Sequence, residues 1–319
     1  LRKMSRHLGD PEVGAVTAYI KEGSESANYL RRFIGFEYIT AQAAARRTQN
    51  VIGAMACLAG GAQLHSRESL ESIGGRIDTT TLAEDTVTTL LTQLNGYRAV
   101  FEGNAIVWAE EPATIDGLWK QRLRWARGNL QVHMMFHHFW FRRKKGGRLG
   151  GITFGLFWNS TLFMPVILIA SSASLLVLYF IDYPYSLDIF RALWILVVVS
   201  YVVVTSFTLM IDTETARRCW FQGVFFPGVV SLLIIIAILY PPLFGTYVPD
   251  LMKAIGVPVT EGIRKAVVLF IYSWLTLSMV VAWLAKVFET RSSLKGPAPA
   301  VIYTAGYGPL LSAITVNAY

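Results

Sequence analysis

The stretch QRLRWARGNLQVHMMFHHFWFRRKKGGRLG, residues 121–150, is where this chain changes character. Before it, charged and apolar side chains are interspersed as in a water-facing domain; after Arg148, long uncharged runs take over. On a helix Gln121, Arg124 and Trp125 fall at i, i+3 and i+4, so one face carries an amide, a guanidinium and an indole. From Gly128 to Phe141 the apolar Leu130, Val132, Met134, Met135, Phe136, Phe139, Trp140 and Phe141 are interrupted by His133, His137 and His138, and then meet Arg142, Arg143, Lys144, Lys145 and Arg148. The pattern predicts an amphipathic helix lying in a membrane surface, with its basic end among anionic headgroups. His133 and His137 have the i, i+4 spacing of metal ligands, but no carboxylate accompanies them as in H-E-x-x-H, and the interfacial reading is preferred.

Bulk composition agrees with a membrane protein. Of 319 residues 53% are hydrophobic and only 16% charged, with mean hydropathy +0.43, whereas soluble domains carry roughly a quarter charged residues. The net charge of +8 and pI near 9.5 would suit nucleic acid or anionic lipid. The densest basic cluster stands directly before the first apolar run, which selects lipid over nucleic acid. Two cysteines, Cys57 and Cys219, give no disulfide framework and no zinc-type cluster, and are compatible with a reducing, cytoplasmic side. The first residues, Leu-Arg-Lys-Met-Ser-Arg-His, hold no apolar core of a signal peptide, and the chain reads as part of a longer protein.

Leu149 to Ile181, Ala192 to Ile211, Cys219 to Pro249 and Ala266 to Ala285 predict four spans, since about 20 apolar residues cross the hydrocarbon core as helix. Pro227, Pro241 and Pro242 kink or end the third. Lys and Arg in the flanks put the first region inside, in the cytoplasm of an integral protein of the bacterial plasma membrane, and four spans return the tail there. The divisions are therefore residues 1–127, 128–148 (interface helix and basic flank), 149–288 (transmembrane) and 289–319 (cytoplasmic tail).

The first region reads as mixed α/β. Val13 to Ile20 and Tyr97 to Val107 predict strands; Ser24 to Gln49 and Thr86 to Leu94 predict helices. Three stretches carry candidate chemistry. Glu84 and Asp85 open a helix whose amides favour negative charge, and either they are catalytic or Asp85 or Thr86 is a cap. Arg124 and Trp125 suit a diphosphate and a sugar face, or Gln121 to Trp125 is a basic helix holding headgroups. Gly60-Gly61, with Arg67 and Gly74-Gly75 downstream, either lets backbone approach a ligand or simply turns.

In order and spacing the chain resembles the family-2 glycosyltransferases, especially cellulose, hyaluronan and poly-N-acetylglucosamine synthases. Ala83-Glu84-Asp85 is similar to their T-E-D, with Ala for Thr; Gln121, Arg124 and Trp125 match Q-x-x-R-W; Gly60-Gly61-Ala62 stands where cellulose synthases have Cys-Gly-Ser. The resemblance implies part of a GT-A catalytic domain followed by a helical transmembrane domain. It implies a UDP-sugar donor, a growing polysaccharide or lipid acceptor, and Mg2+ or Mn2+ held by a D-x-D expected before residue 1. It also implies inverting transfer, with Asp85 as general base, Glu84 positioning it, Arg124 offsetting leaving-group charge, and Gln121, Trp125, Gly60 and Gly61 binding substrate. Two alternatives stand: a non-processive enzyme acting on a lipid acceptor, and a non-catalytic membrane subunit or transporter.

Overall fold

The computed structural model describes residues 1–26, 28–142, 149, 151–291 and 296–319. The basic flank from Arg143 to Arg148 thus lies outside the described residues. The rest forms two compact units: one of Leu1–Phe163, Phe207–Gly223 and Asn317–Tyr319, the other of Met164–Ser206 and Val224–Val316.

The first unit is built on strand β1, Val13–Glu22, buried along almost its whole length. A continuous apolar strand needs cover on both faces and neighbours on both edges. It pairs antiparallel with β2, Gln63–His65, and parallel with β3, Arg98–Ala109, in the order β2-β1-β3. Val16 is opposite Leu64 on one side and Val100 on the other.

The single helix expected over Ser24–Gln49 is interrupted. Helix α1, Tyr29–Tyr38, starts at Asn28, whose side chain accepts the Arg31 N–H. A wide π turn, Ile39–Ala44, then leads into α2, Ala45–Ile52, which ends at Gly53 with φ 68°. Helix α3, Glu84–Leu94, precedes β3, and the expected strand and helix there are both present.

Helix α4, Ile115–Met135, runs straight through Gly128, where the sequence reading began a separate interface helix; the chain turns only at Phe136. Gly128 is no break because it serves packing: a Cβ there would lie 2.8 Å from the Ala83 Cβ. His133 stacks on Trp140 at 5.5 Å and meets Phe163 edge-on, while His137 donates from Nδ1 to the Met134 carbonyl, so the two rings part company.

Against the four spans expected, the described residues hold three unbroken apolar helices and two bent helix pairs, which would make up to five spans if each pair is one. Among the described residues three helices are long and apolar enough to cross a membrane, over Phe154–Phe180, Ser186–Ile211 and Glu261–Thr290. They belong to α5 (Ile152–Phe180), α6 (Ser186–Ile211) and, after the helices named next, α9 (Glu261–Arg291). The predicted third span is instead a bent pair, α7 (Thr213–Val224) and α8 (Val229–Leu239), meeting at 75°. Pro227 and Gly228, with φ 85°, occupy the bend, and the charged Glu214, Arg217 and Arg218 make α7 amphipathic.

Residues read as a tail fold as well: α10, Pro297–Ala305, and α11, Tyr307–Val316, meet at 91° and pack on α9. Apolar cover explains it, since Ile302, Ala305, Tyr307, Leu310 and Ile314 are buried. Within this second unit Trp194, Phe190 and Tyr272 form a buried aromatic core, and the Trp274 indole donates to Ser231 at 3.0 Å. Asn317–Tyr319 rejoin the first unit, where Trp119 Nε1 donates to Asn317 Oδ1.

Candidate active site

The site is assembled around one loop, Met55–Gly60, whose backbone N–H groups find no strand to join. Buried amides left unpaired cost about 1–3 kcal/mol each, and here side chains take them one by one. The Met55 N–H donates to Gln93 Oε1 (2.8 Å), Ala56 to Gln49 Oε1 (3.0 Å), Leu58 to Thr89 Oγ1 (2.8 Å), Ala59 to Thr17 Oγ1 (3.2 Å) and Gly60 to Asp85 Oδ2 (3.0 Å). Three of those acceptors, Asp85, Thr89 and Gln93, lie four residues apart on α3 and share one face of it. The Gln93 amide also donates to the Met55 carbonyl at 2.7 Å.

Asp85 is therefore not the helix cap. Ala83 is the cap residue and offers no side-chain bond; Asp85, one position inside the helix, sends Oδ2 across to Gly60 and accepts the Thr86 N–H at Oδ1, 2.7 Å. Gly60 is close enough that a Cβ would stand 3.3 Å from Asp85 Oδ2. Helix α4 is fastened to the same place, through Gly128 on Ala83 and through the Leu82 N–H, which donates to Gln131 Oε1 at 2.9 Å.

A cavity of about 410 Å³ opens here, within the first unit. Glu84, Asp85, Gly60, Gly61, Arg124 and Trp125 all line it, together with Tyr38, Gln42, Arg46, Cys57 and Glu111. Six of the seven residues singled out from sequence are thus brought together. Gln121 is the seventh and does not line the cavity: its Nε2 donates to Glu111 Oε2 (3.1 Å) and its Oε1 accepts from Arg122 (2.8 Å).

The residues that sequence reasoning missed form the support for that helix. Arg122 is buried, pairs with Glu37 at 3.0 Å, and lays its guanidinium 4.0 Å from the centre of the Trp125 ring. One face of Trp125 is therefore covered. Tyr38 donates to Glu111 Oε1 at 2.5 Å. Burial, the largest influence, raises the Tyr38 pKa; Arg122 opposes this and Glu111 adds to it, so the phenol keeps its proton. No local pattern marks Glu37, Tyr38 or Glu111, whereas the polar residues at 85, 89 and 93, four apart on one helix, were a readable signal.

Electrostatics divide the cavity. Cys57 is pushed up to about 12 by burial first and by Asp85 second, against Arg46, so it stays a neutral thiol. Arg46 is depressed by burial, with Cys57, Asp85 and Tyr38 opposing. Among the described residues no three His, Cys, Asp or Glu side chains converge as a metal ion requires. Glu84, Asp85 and Glu111 therefore make no cation site of their own. What the arrangement offers is a fixed carboxylate beside a backbone amide, an exposed guanidinium at Arg124 and a half-covered indole.

Residues 1–209 match the family model described as "Glycosyl transferase family group 2". The chain is 31% identical over 216 residues to "Probable glycosyltransferase YdaM" of Bacillus subtilis (strain 168), covering 67% of this chain and 51% of that protein. It is 33% identical over 123 residues to "Poly-beta-1,6-N-acetyl-D-glucosamine synthase" of Staphylococcus aureus (strain COL), covering 39% of this chain and 29% of that protein. The chain thus spans about half the length of the first relative and less than a third of the second.

Proposed function

The chain belongs to glycosyl transferase family group 2, and from that premise we propose that it is the acceptor-side and membrane part of an enzyme that lengthens a β-linked polysaccharide from a UDP-sugar. The observation that carries the reading is the meeting of Asp85, the Gly60 amide, Arg124 and Trp125 in one cavity. A general base must stand within hydrogen-bond reach of the proton it takes, in a fixed orientation. Asp85 is held by Gly60 and Thr86 from two sides, which leaves its carboxylate edge as the proton acceptor.

In the proposed reaction the acceptor hydroxyl gives its proton to Asp85 while its oxygen forms the new bond to the anomeric carbon. The bond from that carbon to the nucleoside diphosphate breaks, and its electron pair leaves with the phosphate oxygen. Attack opposite the leaving group inverts the configuration. Arg124, charged and exposed, offsets the growing negative charge. Trp125 gives the acceptor sugar the face that Arg122 does not cover. Glu84 starts the same helix and adds negative charge at its N-terminus, and Gln121 acts by holding Glu111 and Arg122 rather than by touching sugar.

Mg2+ or Mn2+ is proposed as the companion of the donor diphosphate. The three long apolar helices support an integral membrane protein with product passed across the bilayer, and the Lys and Arg flanks support a cytoplasmic catalytic side. Radiolabelled sugar incorporation from a panel of UDP-sugars, by the intact protein in membranes with either cation, tests the reading. Long product abolished by Asp85→Asn and Arg124→Ala is expected. Single-sugar product would replace the polymerase reading by transfer to a lipid acceptor, and no incorporation by folded protein with any donor would sink the enzymatic reading.

A further inference from the structure

The Asp85 cavity contains two polar groups that its architecture leaves idle. Gln42 and Arg46 both line it, and Gln42 Oε1 and Arg46 Nη1 are buried atoms with no hydrogen-bond partner among the described residues. Such atoms are rare in folded proteins and call for an explanation. These two are four residues apart, one in the π turn and one in α2, so they share a face. Turns of that wide kind occur often at functional sites. The neighbouring Gln49 and Gln93 are spent on backbone amides, and of the buried unpartnered side-chain atoms among the described residues only Gln42 Oε1 and Arg46 Nη1 belong to residues that line this cavity.

The two groups are complementary in sense: an amide oxygen that accepts and a guanidinium N–H that donates. Phosphate is a poor match, because it offers no proton to Gln42 and would lie in a cavity that already holds Asp85, Glu84 and Glu111. A saccharide matches, since adjacent hydroxyls, or an acetamido group, present one donor and one acceptor a few bonds apart. Resting on the glycosyl-transfer reading above, we propose that Gln42 and Arg46 are the acceptor-recognition pair, Gln42 accepting from and Arg46 donating to groups adjacent to the hydroxyl that faces Asp85. They act as positioning residues, setting which hydroxyl reaches the base. Burial lowers the Arg46 pKa and strips it of water, so the contact it makes with sugar is a desolvated one.

The experiment uses the intact protein in detergent, its productive UDP-sugar, and soluble oligosaccharide acceptors differing in a hydroxyl or an acetamido group beside the reacting hydroxyl. Initial rates give KM for each substrate, and UDP release without acceptor gives donor hydrolysis. Gln42→Leu and Arg46→Gln are expected to raise acceptor KM about tenfold, the worth of one ordinary hydrogen bond, with donor KM and hydrolysis within about twofold of wild type. A penalty confined to one acceptor identifies the group read; an equal penalty on both assigns the contact to hydroxyls they share. Unchanged acceptor KM with hydrolysis intact overturns the inference, as does a rise in donor KM alone. If Arg46→Gln unfolds, Gln42→Leu decides alone, because it leaves the guanidinium in place. A wild type that neither transfers nor hydrolyses overturns the glycosyl-transfer reading and this inference with it, whereas variant-only failure leaves that reading standing.

Discussion

The two compact units solve the problem of irregular backbone in opposite ways. In the first, the Met55–Gly60 loop is held open by side chains, five of its six amides each satisfied by a separate residue from β1, α2 or α3. In the second, the bends are closed by glycines pressed against backbone: a Cβ on Gly228 would lie 2.5 Å from the Ala305 carbonyl carbon, and one on Gly306 2.6 Å from that of Pro227. Polar fastening fixes donors and acceptors at chosen positions and leaves a cavity beside them. Steric fastening fixes a shape and places no polar group. The proposed chemistry belongs with the first kind, where a carboxylate that holds a loop also lines a cavity.

The sharpest break of that contrast is at Asp85, the loop holder that is also the proposed base. Asp85→Asn keeps an oxygen for the Gly60 N–H while removing the base, so transfer should fall about 10³-fold with little change in thermal melting; parallel loss of both would make Asp85 merely structural. Next in size is the purely steric fastening: Gly306→Ala, at φ 106° and with no room for a Cβ, should cost about 3 kcal/mol, read as a lower melting temperature in detergent. Gln93→Leu strips partners from the Met55 N–H and carbonyl together, and should cost about 2 kcal/mol, with activity falling as the loop loosens. A rise in stability there would show that the polar fastening is dispensable.

The smallest effect concerns the anchor between β1 and the start of α7. Lys21 and Asp212, both buried, pair at 2.8 Å, and Tyr19 and Thr215 donate to the same carboxylate. Burial pushes the Asp212 pKa up, but the bonds from Lys21, Thr215 and Tyr19 prevail and hold it at about 2 against an ordinary 3.8. A depressed carboxylate stabilises the fold above its ordinary pKa, and that contribution is lost as pH falls through the folded value. The melting difference between wild type and Asp212→Asn should therefore persist at pH 5 and shrink between about pH 4 and 2. A difference that is flat with pH would remove the ion pair from the account.

The division between what was readable and what was not follows the range of the interactions. Strand β1, helix α3 and the Gln121–Trp125 helix were legible because periodicity and apolar runs are local properties. Gly128 misled, since a glycine in a helical pattern reads as a break until the partner it packs against is known, and Ala83 is 45 residues earlier. The bend in the third apolar run was locally legible at Pro227, whereas its size, 75° between the two helices, was not.

By itself the sequence determined the long apolar runs of the second half, the mixed α/β first region, the family, and six of the residues that line the cavity, because each is written in composition, spacing or motif. Only the tertiary structure decided that Gln121 supports rather than lines the site, that Arg122 covers one face of Trp125, that residues 297–316 fold onto α9, and that Gln42 Oε1 and Arg46 Nη1 are left without a partner in the residues lining the Asp85 cavity. Each of these depends on which partner a polar or apolar surface finds across a long sequence separation, and a pattern along the chain carries no record of that.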